Sequence, residues 1–344
     1  MRRPDESGMA LLVVLLLVAV MSALAVSVLD DIRFAQRRTL NAEAVDQARW
    51  YAIGAETLVA VQARRMALLD PTSSAAGEWS GRVFRFPVEE GAIQARLSPG
   101  ADCFNLNSVV QGYGEVLKPR DAGRRQFIAL LTALKTGTGE AEALAAALTD
   151  WIDSDQIRQS GGAEDEAYAR GPRPYRTAGT LVAEVSELRA VRGFTPDVYR
   201  RIRPYVCALP TSDLSPINVN TLSADKAVLL VMLTDGALSL DQARQVIAGR
   251  PGGGWSDAAA FWQSEGMFAA MERMASLELT GGGAAAGRTD SLNAVFNQVA
   301  LRPRYLTLDT EVAYRGAEVV SSVLFEIDPA GEPRLAARRW TRDE

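Results

Sequence analysis

Hydrophobic and polar positions divide the chain into four unequal stretches. From Gly8 to Leu29 it reads GMALLVVLLLVAVMSALAVSVL, with no charge and no proline. As a helix rising roughly 1.5 Å per residue, such a run crosses a hydrocarbon core of ~30 Å. The composition turns polar at Asp30-Asp31, yet no proline intervenes before Pro71. Leu40, Ala44, Ala48, Ala52, Ala55 and Val59 recur at three- and four-residue steps, which predicts one apolar face on a continuing helix. Arg37, Arg38, Glu43, Arg49, Arg64 and Arg65 are spread among them. The expectation is one helix of about 60 residues, greasy first and amphipathic afterwards. PTSSAAGE, from Pro71, reads as loop.

The pattern then changes to alternation. Arg82 to Val88, a turn at Glu89-Glu90-Gly91, and Ala92 to Leu97 predict a hairpin, with Pro87 at an edge or strand end. From residue 121 to about 280 helical periodicity dominates. Segments start at Arg124, Ala141, Val185, Pro196, Ala224, Asp241 and Asp257, separated by loops rich in Gly, Pro and Asp. Gly281 to Gly287 is a low-complexity join. Alternation returns at Arg304 to Tyr314 and Val319 to Ile327, with Arg315-Gly316 as the turn. The simplest architecture is one α/β domain interrupted by an all-helical one. The tail RLAARRWTRDE is basic and expected to fray.

Composition narrows the chemistry. The 344 residues allow two or three domains, and the net charge of −5 lacks the basic footprint of a nucleic-acid binder. There is no histidine, which removes imidazole ligands and His-dependent triads. Two cysteines, Cys103 and Cys207, are too few for a cysteine zinc site. In an oxidising compartment they can form one disulfide; two buried free thiols are the alternative. Acidic pairs exist, but none sits in a recognisable catalytic frame, so an enzyme is not expected. The Trp and Tyr residues, including Trp50, Tyr51, Trp151, Trp255 and Trp262, read as core or interface anchors.

The leader MRRPDESG resembles that of type IV pilin and pseudopilin precursors: short, basic through Arg2 and Arg3, and ending in Gly before the apolar run. A secretory signal would have a shorter apolar region with its cleavage site afterwards, and an ordinary signal anchor is the alternative. The resemblance implies cleavage after Gly8 and methylation of the new amino terminus at Met9. Most members carry Glu as fifth mature residue; Val13 stands there. A carboxylate inside a bilayer is costly unless paired, and its absence resembles one exception, the minor pseudopilin GspK of type II secretion. The segment Cys103 to Ser108, CFNLNS, resembles the signature of that family. Further matches are GGAEDEAY from Gly161, PYRTAG from Pro174, VSELRAVRGFTPDVYRRIRPYVCALP from Val185 and INVNTL from Ile217.

The acidic stretch DWIDSDQIRQSGGAEDEAY, from Asp150 to Tyr168, is by itself either a solvated loop or a calcium loop, and its spacing is not that of an EF-hand. The family resemblance implies structural calcium in the helical region. Asp150, Asp153, Asp155, Glu164 and Asp165 are the candidate ligands, with Glu187 a weaker one. LRAVRGFTPDVYRRI and the stretch from Ile217 to Arg250 also resemble helix-hairpin-helix units of DNA-uptake receptors. TDGALS replaces the GxG hairpin that would meet phosphate, so the units read as packing modules and nucleic acid is not an expected partner.

The resemblance therefore implies an α+β protein: a pilin-like long N-terminal helix on a small antiparallel sheet, interrupted by a large all-α, helix-hairpin-helix/SAM-like insertion. The expected division is a leader at 1–8, a transmembrane segment at 9–29, and a stem helix with first strands at 30–110. An inserted helical domain would occupy 111–280, and returning strands with the basic tail 288–344. The implied role is a tip subunit that initiates a periplasmic pseudopilus with GspI, GspJ and GspH. Prepilin peptidase, the inner-membrane secretion platform, and an exoprotein or the outer-membrane secretin are the other implied partners. A membrane-anchored helix-hairpin-helix protein of DNA uptake is the alternative.

Overall fold

The computed structural model describes residues 4–69, 81–170, 173–280 and 293–341. Met1 to Arg3 of the leader, most of the loop after Leu69, the Gly281–Gly287 join and the last three residues lie outside them.

Helix α1 (Pro4–Leu69) is continuous over 66 residues, ~100 Å at the usual rise. Its second half rests on a five-stranded antiparallel sheet of order β1-β2-β9-β10-β11. The strands are β1 (Val83–Val88), β2 (Gly91–Pro99), β3 (Phe104–Asn105), β4 (Val110–Tyr113), β5 (Val116–Pro119), β6 (Val206–Cys207), β7 (Ile217–Asn218), β8 (Val299–Ala300), β9 (Tyr305–Tyr314), β10 (Ala317–Ile327) and β11 (Pro333–Arg339). Ala44, Ala48, Ala52, Ala55 and Ala63 form the buried stripe of α1. Two apolar clusters join this stripe to Ile93, Ala95, Leu97, Leu306, Leu308, Val312, Val319, Val323 and Phe325. Small residues let the helix lie close to the sheet; a larger side chain at Ala52 would overpack the contact by about 1–3 kcal/mol. Leu40, expected on this stripe, is exposed because it lies short of the sheet. From Met9 to Leu29 the large apolar side chains of α1 are likewise exposed. Among the described residues one helix is long and apolar enough to cross a membrane, and this is it.

Arg315 and Gly316 take positive φ angles of 47° and 82° in the β9–β10 turn, the left-handed pair that a two-residue hairpin requires. Within the basic tail, Pro333–Arg339 does not fray. It forms β11, paired with β10, and Arg338 holds Glu56 of α1 with two bonds, Nε–Oε1 at 2.9 Å and Nη2–Oε2 at 2.6 Å. Glu56 is 5 % exposed, so this fork supplies the partner that a buried carboxylate needs. Arg49 lies 5.8 Å from the Trp340 ring, fixing the same edge.

β2 and β9 are direct neighbours, Leu97 opposite Leu308, although the whole helical head intervenes between them in sequence. The head contains α2 (Asp121–Ala133), α3 (Thr138–Ile152), α4 (Asp165–Ala169), α5 (Pro196–Ile202), α6 (Val228–Leu233), α7 (Leu240–Ala248), α8 (Ala258–Trp262) and α9 (Glu265–Thr280). One apolar core runs through it from Phe104 to Val295. That core includes Phe104, Leu106, Val109 and Val110. The two ends of the insertion meet where Gly100 N–H donates to the Tyr305 carbonyl at 2.8 Å.

The CFNLN segment is the head's internal brace. Phe104, Asn105, Leu106 and Asn107 are all fully buried. After Asn105 the chain tightens into a 3-10 turn (Leu106–Val109), which breaks strand alternation. Asn107 accepts from Val182 N–H at 2.8 Å and donates to the Val182 and Leu209 carbonyls at 3.0 and 2.8 Å. Asn105 accepts from Leu209 N–H and donates to the carbonyls of Thr211 and Asp213. These bonds satisfy loop backbone that has no ladder of its own. Phe104 stacks on Phe127 at 4.9 Å. A disulfide joins Cys103 to Cys207, 104 residues apart, across the parallel pair β3–β6.

Candidate metal centre

Three carboxylates converge where α3 ends. Asp150 occupies its last turn, Asp153 its C-cap, and Glu164 immediately precedes α4. Each offers an oxygen within 4.8 Å of the others. Asp150 is 0 % exposed, Asp153 1 % and Glu164 6 %. A helix C-terminus carries partial negative charge, so two acids there are electrostatically misplaced unless a cation compensates.

Asp150 has partial compensation: Gln159 N–H donates to it at 3.0 Å. Both oxygens of Asp153 and both of Glu164 are buried without a hydrogen-bond partner among the described residues. Burial, followed by the charges of Asp155, Glu164 and Asp150, pushes the Asp153 carboxyl up to about 7. Burial and the charges of Asp150, Asp155 and Asp165 raise Glu164 to about 7. Asp150 is also raised, chiefly by burial, with N–H donors and Arg124 opposing. Repulsion among buried acids is the state that a divalent cation discharges.

The loop that closes the cluster depends on Gly162. A Cβ there would lie 2.0 Å from Asp150 Oδ2, so any side chain displaces that carboxylate. Sequence inspection missed this role; the paired glycines ahead of AEDE were the available signal.

The remaining candidates are arranged differently. Asp155 is half-buried, accepts from Ile157 N–H at 2.7 Å and contributes charge to the cluster. Asp165 turns away, accepting from Thr177 N–H and Oγ1 at 2.8 Å each, bonds that hold its carboxyl below the usual range. Glu187 does not join the cluster. Its carboxylate closes a capping box, accepting from Ala183 N–H at 2.7 Å and Glu184 N–H at 3.1 Å. Gly8 and Met9 both lie within α1.

The two helical hairpins spend their backbone donors internally. Around Gly193, Arg192 N–H donates to the Tyr168 hydroxyl and Thr195 N–H to the Gly193 carbonyl. In TDGALS the N–H groups of Asp235, Gly236 and Ala237 donate to Met232, Val231 and Thr234. A phosphate would have to displace these bonds.

Two family models describing type II secretion system protein K match this chain, one over residues 102–211 and the other over 217–278. The type II secretion system protein K of Pectobacterium carotovorum subsp. carotovorum is 41% identical over 259 residues, covering 74% of this chain and 78% of that one. The chain belongs to the type II secretion system protein K family. Its counterpart in Klebsiella pneumoniae is 39% identical over the same length, and that of Pseudomonas aeruginosa 33% identical over 229 residues, 64% of this chain and 67% of the relative. A solved structure, the GspK-GspI-GspJ complex from the type 2 secretion system of enterotoxigenic Escherichia coli, superposes with a TM-score of 0.65 at 26% identity. The match covers 89% of this chain and 99% of that one. The protein is a minor pseudopilin of a type II protein secretion system. Mixed helix and sheet behind a long N-terminal helix is the architecture that this relative shares.

Proposed function

We propose that this subunit occupies the tip of a periplasmic pseudopilus and initiates its assembly with GspI, GspJ and GspH. One observation carries the reading: a bulky head interrupts the sheet between adjacent strands, on a stem whose apolar half is uncovered and lacks an acid at Val13. Such a head obstructs stacking of another subunit above it, whereas the stem remains free to pack below. The solved GspK-GspI-GspJ complex supports the choice of GspI and GspJ.

In this reading residues 1–8 are a leader removed by prepilin peptidase, Met9 becomes the methylated terminus, and 9–29 anchor the subunit in the inner membrane. The bulk of the chain then lies in the periplasm, where the secretion platform, an exoprotein and the secretin are within reach. The sheet and α1 form a pilin-like body, and the head is a helix-hairpin-helix/SAM-like insertion used for protein contacts. Its work is assembly, without catalysis.

Asp150, Asp153 and Glu164 would hold a calcium ion, with Asp155 beside them. The fit rests on the four partnerless carboxylate oxygens and on the all-oxygen donor set. Calcium supplies a hard double positive charge that neutralises the cluster, and its binding raises stability by mass action. The chain's own residues position the donors: Gly162 admits the Asp150 carboxylate, and the end of α3 fixes Asp153.

Co-expression of the full chain with GspI and GspJ, followed by detergent extraction, tests assembly. A ternary complex whose largest subunit starts at Met9 is expected. Elution of this chain alone, or a start far downstream of Met9, refutes the proposal.

A further inference from the structure

Between the acidic cluster and the sheet runs a segment with little regular structure, residues 176–187, held by ties at both ends. At the cluster end Thr177 bonds to Asp165 through N–H and hydroxyl, and Gly179 N–H donates to the Trp151 carbonyl at 3.1 Å. Trp151 directly follows Asp150, and Asp165 directly follows Glu164. In the middle, Val182 is gripped by Asn107 through both backbone groups. At the far end the Arg339 guanidinium of β11 donates to the Ala183 carbonyl and lies 3.6 Å from Glu184. Its neighbour Arg338 is the residue that holds Glu56 of α1. The ties therefore lead from the cluster to the stem helix.

We propose that residues 176–187 act as a strap through which a divalent cation at Asp150, Asp153 and Glu164 seats the helical head on the sheet. This rests on the cation reading given above. With the cation bound, the end of α3 and the start of α4 are drawn together, and they carry the points to which the strap is tied. Without it, three buried acids repel one another and those points separate. The strap then slackens, and Arg339 loses the carbonyl and carboxylate it holds. Coupling of this kind is reciprocal: whatever loosens the Arg339 tie must also weaken cation binding at the distant cluster.

The reciprocity supplies the test, made on the full chain in detergent with calcium alone as titrant. Arg339→Ala removes the tie without touching the cluster. Arg334→Ala removes the same charge from the same strand, where Arg334 pairs with Asp328 at 3.4 Å. Calorimetry is expected to give an affinity at least about fivefold weaker for Arg339→Ala and about unchanged for Arg334→Ala, the lower end of typical coupling. Glu184→Gln, which leaves the Ala183 carbonyl in place, should fall between. Hydrogen exchange should show calcium protecting both the strap and β11 in the parent chain, and the strap alone in Arg339→Ala. Equal calcium affinity in Arg339→Ala and Arg334→Ala overturns the strap while leaving the cation site standing. Absence of any calcium uptake by the parent chain overturns the site, and the strap with it.

Discussion

Asp153→Asn should change the sign of its effect with calcium. In chelator, the parent chain must ionise Asp153, whose oxygens meet no donor among the described residues, beside three acidic neighbours. A rise from 3.8 to about 7 corresponds to about 4 kcal/mol against the ionised form. The neighbours titrate together with it and solvent screens part of the field, so about 2 kcal/mol is the working figure. Asn keeps the shape and removes the charge. In chelator at pH 8 the variant should therefore be more stable, by roughly 4–8 °C in Tm for a unit of this size. The sign in pH follows from the same shift. The folded chain retains a proton that the unfolded chain has lost, so stability falls as pH rises from about 4 to about 7. The difference between parent and variant should grow across that window. In calcium at a hundred times its dissociation constant, the parent gains about 2.7 kcal/mol that the variant, short of a donor, forfeits. Differential scanning calorimetry with and without chelator, at pH 4.5 and 8, reads both. A variant destabilised equally in chelator and in calcium would show that Asp153 makes an ordinary structural contact, and the electrostatic account would fail.

Three further outcomes follow from the fold. Gly162→Ala pushes a methyl into the Asp150 carboxylate, so the thermal shift on adding calcium should disappear while far-UV circular dichroism is retained. Glu56→Ala leaves Arg338 without its buried partner, and urea titration should show about 2 kcal/mol less stability, below the cost of breaking a fully buried pair; no loss would make the fork ornamental. Cys103→Ala with Cys207→Ala opens a loop of 104 residues, worth ~4–5 kcal/mol in the chain-entropy picture. The double variant should resist denaturant less than the oxidised parent and match the reduced one.

Much of the body is legible in sequence because its signals are long and periodic. The unbroken run to Leu69, the alternation around Ile93 and Val312, and the Arg315-Gly316 turn each follow from local rules. Elements held by tertiary contacts are harder to read. β11 is rich in arginine and looks like a solvated tail until Arg338 is seen to meet Glu56 from 282 positions away. The two-residue strands β3, β6, β7 and β8 are too short for any periodicity to show. α9, by contrast, lies inside the stretch of helical periodicity that runs to about 280, and its buried Met267, Ala270 and Met274 follow helical spacing. Within the candidate site, acidity together with the family resemblance nominated six residues. Burial and pairing separate them: Asp150, Asp153 and Glu164 share a pocket, whereas Glu187 is committed to its own backbone.

The adjacency of β2 and β9 also governs the order in which the molecule is made. Leu97 waits for Leu308, and roughly 200 residues of head must collapse before the two can be zipped together. Until then the β1–β2 hairpin and the β9–β10–β11 meander are two separate pieces of one sheet. The complete five-stranded surface beneath the stem helix therefore exists only once the head has closed.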